Sequence, residues 1–518
     1  GETSSPTTSA GGGVQQTWTA PSDRFNCPSL KTSNVGINQS ATKYFTTQVV
    51  FADLMKHSAG WRRPFSSPNT ATPLQLDQDG YPTVIDLDNS FINIIHDDLW
   101  GRDSGTDNIY VLLYDGEGTF SLNISNTIID QAPGRIVYRI NAQGRIILSL
   151  NTTNPANHAR NIRFVSQSDE STYTTQPFRQ EFLATWGSFP VTRYMDWLET
   201  NNSTVTNWAD RTLPTSMMQS FGAGVAYEYI IQLSNYTQTN PWINIPHLAS
   251  DDYVSQLATL FKNTLDPNLT VYVEYTNEAW NFGFSQTQYM ISKASELGLP
   301  AYYSYFSQRS SEVMDIWSNV YLNIPKSRYV RVLGTQSTNI GVTERIVSWG
   351  NAFEHHDALA VAPYFGGKLG RLETEVNLAL TMTAPQLAQY LLDVELPINK
   401  TTMVAQKTIA DTNGLRLIAY EAGQHLAGAG NHPTYGNLLN YQPLTDLFIA
   451  TNREPLMKDI YIQYMKNWKE VSGDLMVLFT SSTGPSKFGS WGLLEYGTQA
   501  LNLAPKANGV YESICGAP

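Results

Sequence analysis

From near residue 170 the sequence alternates between strand-like and helical segments, and this alternation limits the possible folds. Each strand-like segment is a short apolar run, and the intervening segments place apolar residues on one helical face, as in 251–265. With one earlier segment the strand-like runs number eight, as a (β/α)8 TIM barrel of the α/β class requires. They lie at 34–40, 188–197, 241–247, 270–278, 328–336, 358–365, 416–424 and 475–482.

A different pattern occupies residues 70–168, where short β-segments are separated by Gly, Asp and Asn. No helical periodicity lies between them, so we predict an antiparallel, sandwich-like β-rich domain inserted after the first barrel strand. Residues 1–20 are rich in Ser, Thr and Gly and are predicted to be a flexible linker. The barrel then comprises 21–69 and 169–518. An open, doubly wound sheet is the alternative fold, but no glycine-rich phosphate loop follows a strand.

The composition restricts the partners of the chain. The formal net charge is −12 and no run of Lys or Arg occurs, so neither nucleic acid nor an anionic membrane is expected to bind. No stretch approaches the roughly 20 apolar residues of a membrane span. Charged residues make up 15% of the chain, whereas Trp (12) and Tyr (28) are numerous. This balance suits either a large aromatic core or flat apolar faces for an uncharged polar ligand such as a sugar.

Two other chemistries find little support in the sequence. His355, His356 and Asp357 form a local cluster of metal-ligating types, but it lacks the spacing of a zinc site and precedes a strand. No G-x-S-x-G segment is present to hold a serine nucleophile. We therefore predict an activity that needs neither metal nor cofactor.

Active sites of barrels are built from residues at the C-terminal ends of the strands. Glu278 closes the fourth predicted strand, and Glu421 lies in the seventh. These strands lie across the barrel mouth from each other, so both carboxyls can face one cleft. Cleavage of a glycosidic bond needs such a pair, one to protonate the leaving oxygen and one to attack the anomeric carbon or activate water. Other side chains at strand ends are Arg193, His247, Asn277, Tyr364, His425 and Trp491.

The segments YTNEAWN (275–281) and IAYEAGQH (418–425) resemble the motifs of glycoside hydrolase clan A, in particular those of family five. In that clan an Asn-Glu pair ends strand four, and a nucleophilic Glu ends strand seven. The resemblance covers the barrel and not the β-rich block. It implies a retaining enzyme in which Glu278 is the general acid/base and Glu421 is the nucleophile.

The same resemblance implies roles for neighbouring side chains. Asn277 is expected to bind the sugar 2-hydroxyl, and Arg193 to support the nucleophile electrostatically. Tyr364 is expected to donate a hydrogen bond to the nucleophile and hold it ionised. Trp491 is expected to be the stacking platform at the cleavage subsite, and His247 to line the cleft.

Two positions depart from the pattern of the clan. Ala279 follows the Asn-Glu pair, where Pro is common, and Ala362 stands where family five has a His. His425 is expected to fill that gap. Trp280 lies at a strand end and is a candidate for sugar binding, with core packing as the equal alternative. The same two readings apply to Trp186, Trp197 and Trp242.

The cysteines and sequons indicate an extracellular protein. Cys27 and Cys515, the two cysteines, lie near opposite ends of the sequence. Barrel termini meet in space, so we predict one disulfide between them, with two free buried thiols as the alternative. The N-terminal linker resembles those that join secreted polysaccharide hydrolases to an upstream carbohydrate-binding module. Asn-x-Ser/Thr sequons begin at Asn38, Asn123, Asn151, Asn201, Asn202, Asn235, Asn268 and Asn399.

Together these observations predict a secreted, monomeric hydrolase that cuts a β-linked cell-wall polysaccharide internally, by double displacement. A β-1,4-glucan or a hemicellulose is the expected substrate. Transglycosylation on the same covalent intermediate is one alternative, which the sequence does not separate from hydrolysis. A carbohydrate-binding barrel without activity is the other, and the presence of both carboxyls disfavours it.

Overall fold

The computed structural model of the protein describes residues 25–97 and 108–516. Eight parallel strands close into a barrel, which confirms the predicted (β/α)8 fold. The strands of the described residues are, in chain order, β1 (Val35–Asn38), β2 (Phe91–His96), β3 (Ile109–Asp115), β4 (Gly118–Leu122), β5 (Asn126–Ala132), β6 (Arg135–Ile140), β7 (Ile146–Thr153), β8 (Arg160–Ser166), β9 (Val191–Arg193), β10 (Asn240–Ile245), β11 (Val271–Tyr275), β12 (Tyr329–Gly334), β13 (Ala358–Val361), β14 (Arg416–Ala422), β15 (Asn431–His432), β16 (Gly436–Asn437) and β17 (Met476–Leu478).

The barrel consists of β1, β9 to β14, and β17, and each is hydrogen-bonded to the next barrel strand along the chain. These strands are buried along nearly their whole length, because their side chains face either the barrel interior or the surrounding helices. Burial on both faces explains why they appear in the sequence as continuous apolar runs. Every predicted segment overlaps a barrel strand, but the strands are shorter, as in 188–197, where the strand is Val191–Arg193.

Helices connect the barrel strands. Those of the described residues are, in chain order, α1 (Pro28–Lys31), α2 (Gln180–Trp186), α3 (Tyr227–Thr237), α4 (Asp251–Thr264), α5 (Ser285–Glu296), α6 (Tyr302–Val320), α7 (Ile340–Ser348), α8 (Ala352–His355), α9 (Glu373–Ala379), α10 (Ala384–Tyr390), α11 (Leu396–Thr412), α12 (Gln442–Asn452), α13 (Met457–Val471) and α14 (Pro505–Cys515). In α4 the Ser250 side chain accepts a hydrogen bond from the Tyr253 backbone N–H and caps the helix. The predicted apolar stripe of this helix is buried in the main core.

Between β1 and β9 the chain forms two antiparallel sheets. One has the strand order β2-β7-β4 and the other β5-β6-β3-β8. Their side chains pack in a core of their own, which includes Phe91, Tyr110 and Phe164. An inserted β-rich region is therefore present after the first barrel strand. Its predicted limits, 70–168, stay a prediction, and the predicted linker at 1–20 lies outside the described residues.

The two ends of the described chain are tied together. A disulfide joins Cys27, which precedes α1, to Cys515 at the end of α14. In α1, Lys31 Nζ donates hydrogen bonds to the Thr237 carbonyl at 2.8 Å and to Thr239 Oγ1 at 2.9 Å. These bonds anchor the N-terminal segment beside the start of β10. Among the described residues, no helix combines the length and the apolar character needed to cross a membrane.

Candidate active site

Glu278 follows the fourth barrel strand in a turn of unusual backbone conformation. β11 ends at Tyr275, and the chain then has positive φ angles of 54° at Thr276 and 42° at Glu278. Non-glycine residues adopt this conformation at a cost of about 1–3 kcal/mol each, so it persists where the surrounding structure imposes it, often at functional sites. The end of the fourth strand is therefore a candidate functional position on backbone geometry alone.

The seventh barrel strand, β14, is irregular near its C-terminal end. Its pairing with β17 shifts register between Ala419 and Ala422. Tyr420 and Glu421 are adjacent in sequence, yet both contact Arg193. The Tyr420 ring centroid lies 5.0 Å from Arg193 Cζ, and Glu421 Oε1 lies 2.8 Å from Arg193 Nη1. Because consecutive side chains of a regular strand point to opposite faces, the irregularity accounts for both facing the barrel interior.

Arg193, the last residue of β9, is fully buried and uses all of its hydrogen-bond donors. A guanidinium has five N–H groups, and five hydrogen bonds of 2.8–3.1 Å leave this one. Two go to Glu274, and one each goes to Glu421, Asn277 and Asn38. We call these five residues the Arg193 cluster. Complete pairing of this kind is what makes a buried ion tolerable.

Glu274 is a buried carboxylate that the sequence analysis did not identify. Its Oε2 accepts hydrogen bonds from Arg193, from Trp242 Nε1 at 2.9 Å and from Asn244 Nδ2 at 2.9 Å. Burial raises the pKa of Glu274, and the charge of Arg193 opposes this shift. The sequence did hold a signal for it. A Glu within an otherwise apolar strand, VYVEY (271–275), needs a buried partner, because an unpaired carboxylate is rarely buried.

Both carboxylate oxygens of Glu421 accept hydrogen bonds. Arg193 Nη1 donates to Oε1 at 2.8 Å, and the Tyr364 hydroxyl donates to Oε2 at 2.9 Å. Burial, followed by the nearby charge of Glu421, raises the pKa of Tyr364 well above its usual value. The phenol therefore keeps its proton and remains a donor. One cation and one neutral donor thus stabilise a negative charge on Glu421.

Glu278 has a different environment. Its Oε2 accepts a hydrogen bond from Asn281 Nδ2 at 3.0 Å, and within residues 25–97 and 108–516 no cation forms an ion pair with it. Burial, followed by the negative charge of Glu421, raises the pKa of Glu278 to about 7. Near neutral pH about half of the molecules therefore hold this proton. A carboxyl in that state can act as a general acid.

Four rings form an aromatic cluster beside Glu421. Tyr364, which binds Glu421, has its ring centroid 5.7 Å from that of Trp491 and 5.2 Å from that of His425. His425 and Trp491 are 4.8 Å apart, and Phe479, directly after β17, lies 5.8 Å from Trp491. Phe479 is not among the site residues predicted from the sequence. Trp491 is partly exposed, so the cluster can offer an apolar surface to a sugar next to Glu421.

The structure also places the remaining predicted site residues. Asn277 lies in the Arg193 cluster, and its Nδ2 donates to Asn201 Oδ1 at 3.0 Å. His247 is buried with its ring 5.4 Å from that of Tyr289, and burial lowers its pKa to about 4, so it is neutral. Trp280 is 8% exposed and packs near Tyr420. In the described part of the chain, neither His247 nor His425 hydrogen-bonds to Glu278 or Glu421.

Three other tryptophans near strand ends belong to the core. Trp186, Trp197 and Trp242 are at most 2% exposed, which favours packing over sugar stacking for all three. Trp242 also has a polar role, since it donates to Glu274.

The His355–Asp357 cluster separates in the folded chain. His355 Nδ1 lies 2.7 Å from Asp315 Oδ1, and His356 Nε2 lies 2.8 Å from Ser310 Oγ. Across the residues that the structure describes, no group of three or more His, Cys, Asp and Glu side chains is arranged to hold a metal ion.

No family model matches the sequence, and no curated protein matches it. Similar solved structures include a 4-O-α-L-rhamnosyl-β-D-glucuronidase from Fusarium oxysporum 12S, with 12% identity and a TM-score of 0.35 over 65% of this chain and 63% of that chain. A family 26 endo-β-1,4-mannanase from Cellulomonas fimi aligns with 12% identity and a TM-score of 0.33 over 63% and 66%, respectively. A Bacteroidetes-affiliated GH5 cellulase aligns with 10% identity and a TM-score of 0.35 over 64% and 84%. This chain spans less than two thirds of the first two proteins.

Proposed function

We propose that this protein is a retaining glycoside hydrolase of the clan A type, with Glu421 as nucleophile and Glu278 as general acid/base. The contrast between the two carboxyls carries the proposal. Glu421 is held by a guanidinium and a phenol, whereas Glu278 has one amide donor and a pKa of about 7. Opposed environments of this kind suit one carboxyl to carry charge and the other to carry a proton.

The reaction proceeds in two displacements. Glu421 forms a bond to the anomeric carbon while the bond to the leaving oxygen breaks, and that oxygen takes the proton of Glu278. Esterification removes the negative charge of Glu421, which is one of the causes that raise the pKa of Glu278. The pKa of Glu278 therefore falls in the intermediate, and its carboxylate can take a proton from water. As Glu278 takes this proton, the water oxygen bonds to the anomeric carbon and the bond to Glu421 breaks, with net retention of configuration.

The substrate is a β-linked polysaccharide, a β-1,4-glucan or a hemicellulose, cut within the chain. The partly exposed aromatic cluster around Trp491 supports a sugar ligand, because flat apolar surfaces suit pyranose faces. The Cys27–Cys515 disulfide supports a site of action outside the cell, since disulfides persist in oxidising compartments.

The first test is product analysis by mass spectrometry after incubation with soluble β-glucans, xylan, mannan and galactan. Glu421→Gln is the control, because it keeps the side-chain size and removes the nucleophile. Oligosaccharides from one substrate, absent with the variant, support the proposal, and proton NMR of the first product reports its anomeric configuration. Products longer than the substrate indicate transglycosylation. Cleavage by Glu421→Gln at the rate of the unaltered protein contradicts the assignment.

A further inference from the structure

The loops that follow β1 and β9 meet at the rim of the barrel. Each loop begins at a member of the Arg193 cluster, since β1 ends at Asn38 and β9 ends at Arg193. Lys43 of the first loop forms an ion pair with Glu199 of the second at 3.0 Å. The two loops therefore make one continuous surface that begins beside Glu421.

Asp196 of the second loop is a carboxyl without a partner. No hydrogen bond or ion pair to its side chain occurs within the residues that the structure describes. Arg193, three residues earlier, cannot serve it, because all five N–H groups of that guanidinium are bonded elsewhere. Burial, followed by the charge of Glu421, raises the pKa of Asp196 to about 7. The Asp196 side chain is partly exposed, so a carboxyl without a protein partner in the described residues is open to a ligand at this position.

Three aromatic rings continue the same surface. Tyr44 and Phe45 of the first loop have ring centroids 5.1 Å apart, and Phe221 of the second loop lies 6.2 Å from Tyr44 and 6.5 Å from Phe45. Phe45 is 52% exposed. Lys43 Nζ lies 4.8 Å from the Phe221 ring centroid, so the ion pair to Glu199 connects the three rings to the loop that carries Asp196.

The charges around Asp196 select the class of sugar. The acidic groups that act on it are Glu421 and Glu199, and the cations are Arg193 and Lys43. Both cations already form ion pairs with carboxylates. Among the described residues that act on Asp196, no cation is free to receive the further negative charge of a uronic acid, whereas a neutral pyranose would bring no charge.

We propose that the loops after β1 and β9 form a second sugar-binding subsite, in which Asp196 hydrogen-bonds a sugar hydroxyl and the Tyr44–Phe45–Phe221 rings stack on a further residue of a neutral polysaccharide chain. This inference rests on the proposed function and names the substrate class of the same site. It predicts that the enzyme gains affinity as a neutral oligosaccharide lengthens across the rim.

The test measures binding by calorimetry in full-length Glu421→Gln, which holds oligosaccharides without cleaving them. The probes are cellohexaose, xylohexaose, mannohexaose and laminarihexaose, each compared with its trimer, and hexagalacturonate as the acidic probe. We expect one neutral hexamer to bind and hexagalacturonate not to bind. Phe45→Ala is expected to weaken binding of the hexamer roughly tenfold, while Phe65→Ala, at another exposed Phe that is not one of the three rings, leaves the affinity unchanged.

Asp196 is tested by two variants that separate charge from hydrogen bonding. Asp196→Asn keeps a hydrogen-bond donor and an acceptor, and we expect its affinity for the hexamer to stay within about threefold of that of the parent. Asp196→Leu removes both, and we expect its affinity to fall by about tenfold or more. Circular dichroism and the melting temperature establish that each variant is folded. Hexamer affinity that is the same in Phe45→Ala, Asp196→Leu and the parent overturns the subsite, while cleavage by the unaltered enzyme leaves the proposed function standing. If no neutral probe is cleaved and none is bound, both the subsite and the proposed function are overturned.

Discussion

The carboxyl groups of the Arg193 cluster and those of the rim above it have different partners. In the cluster every N–H of Arg193 is bonded, and Glu274 and Glu421 share its charge. At the rim Glu278 has one hydrogen bond and Asp196 has none in the described part of the chain, and the pKa of each is raised to about 7. In the cluster the Arg193 guanidinium opposes the effect of burial on Glu274 and pairs with Glu421, whereas Glu278 and Asp196 have no such cation within the described residues.

The two regions show how one barrel mouth can hold both a fixed charge and a movable proton. A cation and several donors stabilise the charge of a carboxylate and fix its position. A carboxyl that is partly desolvated, has few donors and faces a like charge keeps its proton near neutral pH. Single substitutions that remove one contact from one region or the other test this comparison.

The largest effect is expected from Arg193→Met, which removes the cation and leaves Glu274 and Glu421 without it. We expect a loss of about 3–5 kcal/mol in the free energy of unfolding, because breaking a buried ion pair leaves uncompensated charge, and activity is lost with it. Urea unfolding measures the change. The control is Arg211→Met, whose ion pair with Glu228 is partly exposed and is expected to contribute about 1 kcal/mol or less. Equal losses in both variants contradict the central role of Arg193.

Glu278→Gln is expected to lower kcat by about 10²- to 10⁴-fold, since the leaving oxygen loses its proton donor. Steady-state kinetics on the panel substrate measure this change, together with the pH profile. The unaltered enzyme is expected to lose activity as pH rises through about 7, where Glu278 loses its proton. The variant loses this alkaline limb. A limb retained at the same pH in Glu278→Gln assigns the ionisation to another group.

The same variant tests the stability cost of the raised pKa. The pKa of Glu278 is about 7 in the folded protein, whereas the unfolded chain releases this proton near the ordinary pKa of 4.5. Stability from this group is therefore present below pH 4.5 and is lost as pH rises to 7. Gln does not titrate. The free energy of unfolding of Glu278→Gln, relative to that of the unaltered protein, should therefore rise by up to about 3 kcal/mol between pH 4.5 and 8. A pH-independent difference in unfolding free energy contradicts the shifted pKa.

Tyr364→Phe removes one of the two donors to Glu421 and leaves Arg193 in place. We expect kcat/KM to fall by about 10- to 100-fold, as for the loss of a hydrogen bond to a charged group. Tyr435→Phe, in which the ring lies outside the aromatic cluster, is the control. If kcat/KM is unchanged in Tyr364→Phe, Arg193 alone is enough to stabilise the charge of Glu421.

The smallest effect is expected from Asn281→Ala, which removes the hydrogen bond that lowers the pKa of Glu278. The pKa of Glu278 then rises, and the alkaline limb moves to higher pH by less than about one unit. The pH profile of kcat/KM measures the shift, with Asn319→Ala on the exposed face of α6 as control. A limb that moves to lower pH contradicts the assignment.

Much of the fold could be predicted because the barrel strands are buried on both faces and stand out as apolar runs. The ends of those runs also located Glu278, Glu421, Arg193 and Tyr364. Glu274 was missed because its partner, Arg193, is 81 residues away in sequence. The irregularity in β14 that turns Tyr420 inward has no signature in the local pattern, since bulges depend on how neighbouring strands pair. Contacts between loops, such as that of Lys43 with Glu199, likewise arise from the closed barrel.

The most direct test of the account is to trap the covalent intermediate. A 2-deoxy-2-fluoro glycoside of the sugar identified by the panel, with a good leaving group, slows the second displacement, because fluorine destabilises the positive charge of the transition state. Peptide mapping by mass spectrometry then locates the attached sugar. We expect one glycosyl group on the peptide that contains Glu421, and none on Glu421→Gln. A sugar attached to Glu278 or Asp196, or turnover with inverted configuration and no attachment, contradicts it.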